Sequence, residues 1–293
     1  MRIEHIVLSG GGTLGICELA SLHTLFQNKV LDHSHIKSLY GISIGSIITF
    51  LIAIQIDTSV IQEYVIQRPW NKLFASFLNS ERLLNIHQRK GIYNKEIIIE
   101  SLKPLIKYSS FDETITFKEI YEHFNTRLYL YAACLPNLSI VEFSHETHPD
   151  MPVVDVIAMS SSIPGVFEPI YYEGKFYIDA GILQNYPLKQ CIEREKQENH
   201  ILGIRFKQPS QERYKILDED MHIIPYMIMF LRECHHKLRE HYIEPTIPNQ
   251  IVIPYSKEDA FSEKILVDKE ERIRFISLGK KYAQMFLWYH NIR

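Results

Sequence analysis

The chain has 293 residues, 46% of them hydrophobic, with 32 basic against 35 acidic residues for a formal charge of −3 when histidine is neutral. That balance provides no basic surface for nucleic acid, and the length allows one large buried core, so a single α/β domain over 1–293 is expected. Four cysteines, Cys17, Cys134, Cys191 and Cys234, show no Cys-x-x-Cys spacing, which suits reduced thiols better than a disulfide framework. Met1-Arg2-Ile3-Glu4-His5 leads straight into an apolar strand without a charged-then-apolar leader, and the longest apolar segment, from Ile42 to Ile56, is too short to span a bilayer. A cytoplasmic protein with neither signal peptide nor transmembrane helix is the expectation.

Ile6-Val7-Leu8-Ser9 is an apolar β run that ends in Gly10-Gly11-Gly12-Thr13-Leu14-Gly15, after which Leu19, Leu22, Leu25 and Phe26 recur at helical spacing. Glycines between a strand and a helix leave bare N–H groups at the positive end of a helix dipole, a geometry made for anions. Gly10, Gly12 and Gly15 fit a dinucleotide fingerprint, which calls for an acid closing the second strand. The nearby acid, Asp32, precedes that strand. A second reading is an oxyanion hole, with the Gly11 and Gly12 N–H groups meeting the negative oxygen of an attacked ester. A third is a turn that only permits close helix packing.

Ser38-Leu39-Tyr40-Gly41-Ile42-Ser43-Ile44-Gly45-Ser46 then reads as strand, sharp turn and buried helix, with Ser43 at the corner. This is a Gly-x-Ser-x-Gly nucleophile elbow: the turn projects the serine Oγ clear of the sheet, and side chains at Gly41 and Gly45 would obstruct the returning helix. From Asp57 to Phe124 the pattern is helical. Trp70, Leu73, Phe74, Phe77 and Leu78 form an apolar stripe after Pro69, suited to core packing, to a lid over an apolar pocket or to peripheral contact with a membrane. Leu128–Leu135 and Leu138–Phe143 read as two strands joined by a turn. His145, His148 and Asp150 fall in a polar loop, and no second ligand cluster completes a metal site.

Met159-Ser160-Ser161-Ser162-Ile163-Pro164 leads through Phe167-Glu168-Pro169 to a hairpin at Glu173-Gly174-Lys175. Its return strand ends on Asp179-Ala180-Gly181, with Asn185 and Pro187 following. An acid delivered on a strand end beside small residues can approach a catalytic centre closely, although Asp before Ala-Gly is also an ordinary turn opener.

In their order, the glycine loop, the Ser43 elbow, the serine-rich run to Pro169 and Asp179-Ala180-Gly181 with Asn185 and Pro187 resemble the signature of the patatin-like phospholipases. The resemblance covers about 5–207 and ends there. It implies a three-layer α/β/α fold with a mostly parallel central sheet, and a hydrolase of lipid acyl esters, of phospholipase A type, that uses a Ser–Asp dyad and needs no metal or other cofactor. Carried over, Ser43 is the nucleophile, Asp179 the general base and Gly10, Gly11 and Gly12 the oxyanion loop, with Gly15, Gly41, Gly45, Ala180 and Gly181 supporting the motifs. The implied partner is a membrane lipid or other acyl-ester substrate; whether a further protein activates the enzyme is left open. Leu14 stands where the family often has Arg or Lys, which weakens the case for a phosphate headgroup, and Ala180 where it usually has Gly.

A free aspartate near pKa 3.9 is a poor base for serine, so the dyad requires a desolvated Asp179, which its apolar flanks Phe176, Ile178, Ile182 and Leu183 could supply. Two rivals stay open: a Ser–Asp–His esterase using His200, His222 or His290, and a non-catalytic lipid or nucleotide binder. Ile201–Phe206 reads as another core strand. The rest, 208–293, is expected to be a helical part of the same domain. It includes a helix at Ile223–Leu231 whose Met and aromatic side chains could shape an acyl pocket, a helix surface bearing Cys234, His235, His236 and His241, and an amphipathic helix from Phe275 to Tyr289 docked on the sheet.

Overall fold

The computed structural model describes residues 1–78, 86–207, 244–256 and 264–292, together with positions 226, 229, 230, 233, 234, 237 and 259. Eight strands form one sheet: β1 (His5–Leu8), β2 (Ser38–Ile42), β3 (Arg127–Leu135), β4 (Ser139–Phe143), β5 (Ile170–Tyr172), β6 (Lys175–Asp179), β7 (Ile201–Lys207) and β8 (Asn249–Pro254). Their order is β5-β6-β3-β2-β1-β7-β8, with β4 also paired to β3. The run β3-β2-β1-β7-β8 is parallel, whereas β4 and β6 lie antiparallel to β3. The principal helices are α1 (Gly15–Gln27), α2 (Ile44–Ala53), α3 (Thr58–Gln67), α4 (Trp70–Ser76), α5 (Glu96–Tyr108), α6 (Phe117–Phe124), α7 (Val153–Ser160), α8 (Leu188–Glu195) and α9 (Lys269–Tyr289).

The period of two along each strand divides the core into two layers. Ile6 and Leu8, Leu39, and Leu128, Leu130 and Ala132 face the larger core, to which α1, α2, α3, α5, α6, α7 and α9 contribute. Val7, Tyr40 and Ile42, and Tyr129 and Tyr131 face the smaller one, closed by Leu188 and Cys191 of α8. A parallel sheet must be covered on both faces, and this one is, as a three-layer α/β/α fold.

The helical pattern over 57–124 is realised in α3 to α6, and local chemistry sets their starts. Asp57 caps α3 by accepting the Ser59 N–H at 2.7 Å, and Thr116 and Glu119 form a reciprocal capping box on α6. The apolar stripe on and just after α4 is only half-buried; Phe74 meets Tyr93 edge-on at 5.2 Å, and Tyr93 in turn meets Phe167. The C-terminal helix α9 docks chiefly on α1, where Gly279 lets its backbone close on the Cys17 carbonyl and Ser21 Oγ donates to the Gly279 carbonyl at 2.9 Å. Beyond 207 the expectation of helix alone does not hold, because β8 adds a strand beside β7. The helix expected at Ile223–Leu231, as a continuous element, and His235, His236 and His241 lie outside the described residues.

Candidate active site

The site arises where two strands run at each other along one edge of β3. β4 pairs with positions 130–134 of β3, β2 with 127–131 and β6 with 132–135. Since β2 and β6 both overlap the span taken by β4, they must share the opposite edge. β2 runs parallel to β3 and β6 antiparallel, so Ile42 lies opposite Tyr131 while Asp179 lies opposite the next residue, Ala132. The chain leaving β2 at Ser43 therefore meets the chain leaving β6 at Asp179.

Ser43 occupies the elbow with φ 55° and ψ −125°, a conformation that side-chain-bearing residues rarely adopt and that is held only by its surroundings. The two glycines make it possible. A Cβ on Gly41 would lie 2.5 Å from the Gly45 carbonyl oxygen, and one on Gly45 would lie 2.7 Å from that of Ser9. The Ser43 N–H donates to Ser160 Oγ at 2.8 Å, and its carbonyl accepts from Ser46 Oγ at 2.5 Å.

The Asp179 carboxyl is buried beside the Ser43 side chain, which interacts with it favourably. Burial pushes this carboxyl up to about 6, while the Ser43 side chain and the Gly181 N–H, which donates to Oδ1 at 2.7 Å, restrain the rise. The serine is thus paired with a carboxyl that is largely ionised at neutral pH yet far more basic than a solvated aspartate. The Asp179 N–H is held at 2.9 Å by the Ser162 carbonyl.

The glycine loop passes beside this pair. A Cβ on Gly10 would collide with the Asn185 side chain and lie 3.3 Å from Ser43 Cβ, and one on Gly11 would enter the Phe206 ring. The expectation that Gly10 donates to an oxyanion requires correction. Its N–H already donates to the Asn185 carbonyl at 2.9 Å, while Asn185 Nδ2 donates back to the Gly10 carbonyl at 2.8 Å. Gly10 is a pinned hinge of the loop. Among the described residues, the Gly11 and Gly12 N–H groups have no protein acceptor. Gly12 sits at φ 54°, which glycine adopts without strain. Gly15 lets α1 approach Ile44 of α2.

Asp32, the acid weighed for a nucleotide, instead caps a local turn by accepting the Ser34 N–H at 2.8 Å. His200 precedes β7 at the far end of the sheet, 3.6 Å from Glu4, and His290 caps the end of α9 against the Phe286 ring. Neither touches Ser43 or Asp179, and His222 lies outside the described residues. His145 stacks on Tyr121. Among the described residues no group of three or more His, Cys, Asp or Glu could hold a metal ion.

Sequence reasoning missed the work of three side chains. Ser160 and Asn185 sit inside recognised motifs, but the motifs do not say that one accepts from the Ser43 backbone and the other fixes Gly10. Glu18 gave no signal at all. Wholly buried, it accepts the Ser9 N–H at 3.2 Å and the Ser9 hydroxyl at 3.0 Å, tying the end of β1 to α1; burial pushes its carboxyl well up.

A family model described as patatin-like phospholipase matches residues 6–192. The probable lipid hydrolase 463L of Invertebrate iridescent virus 6 is 31% identical over 204 residues, covering 66% of this chain and 65% of the viral protein. The chain thus spans just under two thirds of that relative's length. YqhO of Bacillus subtilis (strain 168), described as uncharacterized, is 24% identical over 297 residues, 96% of this chain and 97% of that protein. Among solved structures, VipD from Legionella pneumophila aligns with a TM-score of 0.59 at 15% identity, over 99% of this chain and 67% of VipD, a likeness of fold.

Proposed function

The chain belongs to the patatin-like phospholipase family, and on that premise we propose that it hydrolyses fatty-acyl esters of lipids, as a phospholipase A does, through Ser43 and Asp179. The observation that carries this reading is the register that brings Ser43, leaving β2, against Asp179, ending β6, whose buried carboxyl is raised to about 6.

In the first half-reaction Ser43 Oγ attacks the ester carbonyl carbon while its proton passes to Asp179. The carbonyl oxygen, now negative, lies against the Gly11 and Gly12 N–H groups, each donor of this kind being worth about 3 kcal/mol in the transition state. Collapse breaks the ester C–O bond, and the departing alcohol oxygen takes the proton from Asp179, leaving acyl-Ser43. In the second half-reaction Asp179 accepts a proton from water as the water oxygen attacks the acyl carbon. Ser43 then recovers its proton from Asp179 as the fatty acid leaves. Leu14 is buried and offers no charge to a headgroup, so recognition is assigned to the acyl ester itself.

The same reading takes 1–293 as one domain, supported by the pairing of β8 with β7 and the packing of α9 on α1. No helix among the described residues is long and apolar enough to cross a membrane, and the enzyme is proposed to work in the cytoplasm and meet its substrate peripherally. The test compares wild type with Ser43→Ala, by labelling with an alkyl fluorophosphonate and by fatty-acid release from phosphatidylcholine vesicles. Labelling and release that both vanish in the variant are expected. A labelled variant, or a wild type inert with vesicles present, would overturn the assignment, the second result favouring a binder.

A further inference from the structure

Ser43 and Asp179 end strands that occupy the same edge of β3 head-on. Strands side by side are held in register by ladder hydrogen bonds, but strands meeting end to end have none between them. A third segment spans the junction. Ser160, at the end of α7 and wholly buried, accepts the Ser43 N–H on Oγ at 2.8 Å. Two residues later the Ser162 carbonyl accepts the Asp179 N–H at 2.9 Å. This turn is itself fixed, because Ser162 Oγ donates to the Ala158 carbonyl at 2.7 Å and to the Glu168 carbonyl at 3.0 Å.

We propose that the 160–162 turn is a clamp that sets the separation of nucleophile and base, with Ser160 as the positioning residue for Ser43. The inference rests on the dyad reading above and adds to it a residue that touches neither substrate nor reacting atom. Its logic is local. Ser43 is held at positive φ, and the acceptor of its N–H is a side chain, so one substitution removes the restraint without altering the backbone. Losing a single oxygen from a site with no solvent access leaves too little room for a replacing water, and the Ser43 N–H is left unpaired. The elbow then relaxes toward commoner torsions and carries Oγ off the Asp179 carboxyl. Misplacement of a reacting atom by about 1 Å costs on the order of 100-fold in rate.

The test compares Ser160→Ala with Ser21→Ala, a matched control. Ser21 is equally buried, and its hydroxyl serves the Cys17 and Gly279 carbonyls between α1 and α9, away from the dyad. In S160A, kcat and the rate of fluorophosphonate labelling should fall about 10- to 100-fold, with KM changed by less than about twofold. With Ser43 Oγ carried off Asp179, the acid limb of the pH profile should move to higher pH, and the melting temperature should shift no more than in S21A, which keeps wild-type kcat. A kcat in S160A within about threefold of wild type, or an equal loss in S21A, overturns the clamp. Should S160A fail to fold, Ser160→Cys retains the volume with only a weak acceptor; the same split between kcat and KM is expected there, and normal turnover overturns the proposal. A wild type without Ser43-dependent turnover overturns the dyad reading and the clamp with it, whereas normal turnover in S160A overturns the clamp alone.

Discussion

Two carboxylates sit at opposite ends of the same sheet, and the fold treats them in opposite ways. At the end from which β2 and β6 discharge into the site, Asp179 has the Gly181 amide donor and the Ser43 side chain beside it but no cation among its described partners, and burial drives its carboxyl up to about 6. At the other end Glu195 is just as secluded, its side chain 7% exposed. Burial would raise it too, but the Tyr40 hydroxyl, His5, the Ser38 hydroxyl and Arg127 together outweigh that and hold it below the usual range. Arg127 Nη2 lies 2.9 Å from its Oε2, and Tyr40 and Ser38 donate to its Oε1 at 2.7 and 2.9 Å. A carboxylate satisfied from every side is a structural brace with little tendency to take a proton. One left short of positive charge is costly to bury, and that cost raises its affinity for a proton.

The largest expected effect lies at the site. Ser43→Ala should lower fatty-acid release by about 1,000-fold or more with little change in melting temperature, whereas Glu195→Gln should leave turnover near wild type. Loss of turnover in the Glu195 variant would show that the two ends are not separable.

Asp179→Asn should be equally inactive yet more stable at pH 8, by up to about 3 kcal/mol in urea titrations. The sign follows from a folded value near 6 against an ordinary 3.8. The neutral form is favoured by the fold, so there is no penalty below pH 3.8, and it grows until the pH passes 6. The stability gain of the variant should therefore shrink to nothing near pH 4. A gain that does not depend on pH would contradict a strained carboxyl.

Glu195→Ala should reverse the sign, costing about 2 kcal/mol at pH 7 by leaving Arg127 without its carboxylate. Because the folded Glu195 carboxyl is lowered, its contribution is present above the usual glutamate value and fades as pH falls through the folded one. Thermal melts from pH 8 to 3 would distinguish the two variants by their opposite slopes.

The smallest effect sharpens the boundary of the site. Asn185→Ala removes the amide bond to the Gly10 carbonyl but leaves the backbone bond between the same residues, so a fall in kcat of about tenfold is expected, with KM little changed. A fall in binding alone would place Asn185 at the substrate rather than behind the loop.

Much of the architecture is legible in the residues. The apolar runs of β1, β2 and β3, the glycine loop after β1, the elbow at Ser43 and the hairpin delivering Asp179 all depend on neighbours within a few positions, and each is where the pattern puts it. β8 was hidden because it begins with Asn249 and Gln250 and ends on Pro254, leaving only Ile251-Val252-Ile253 as a signal, too short to tell strand from helix. Glu18 was hidden because a buried acid has the same letter as an exposed one. Gly10 enters the oxyanion loop only through the family resemblance, and a motif does not reveal which of its N–H groups the fold has already used.

The sequence by itself determined the local backbone: which residues turn, which alternate and which glycines permit close approach, since these follow from sterics and burial preference along a short stretch. Only the tertiary structure decided that β2 and β6 share one edge of β3, that Ser160 and Ser162 bridge their ends, and that Asn185 occupies Gly10. Those outcomes depend on which strand edges pair and in what register, a matter of contacts between residues well separated in the chain, to which no local pattern is sensitive.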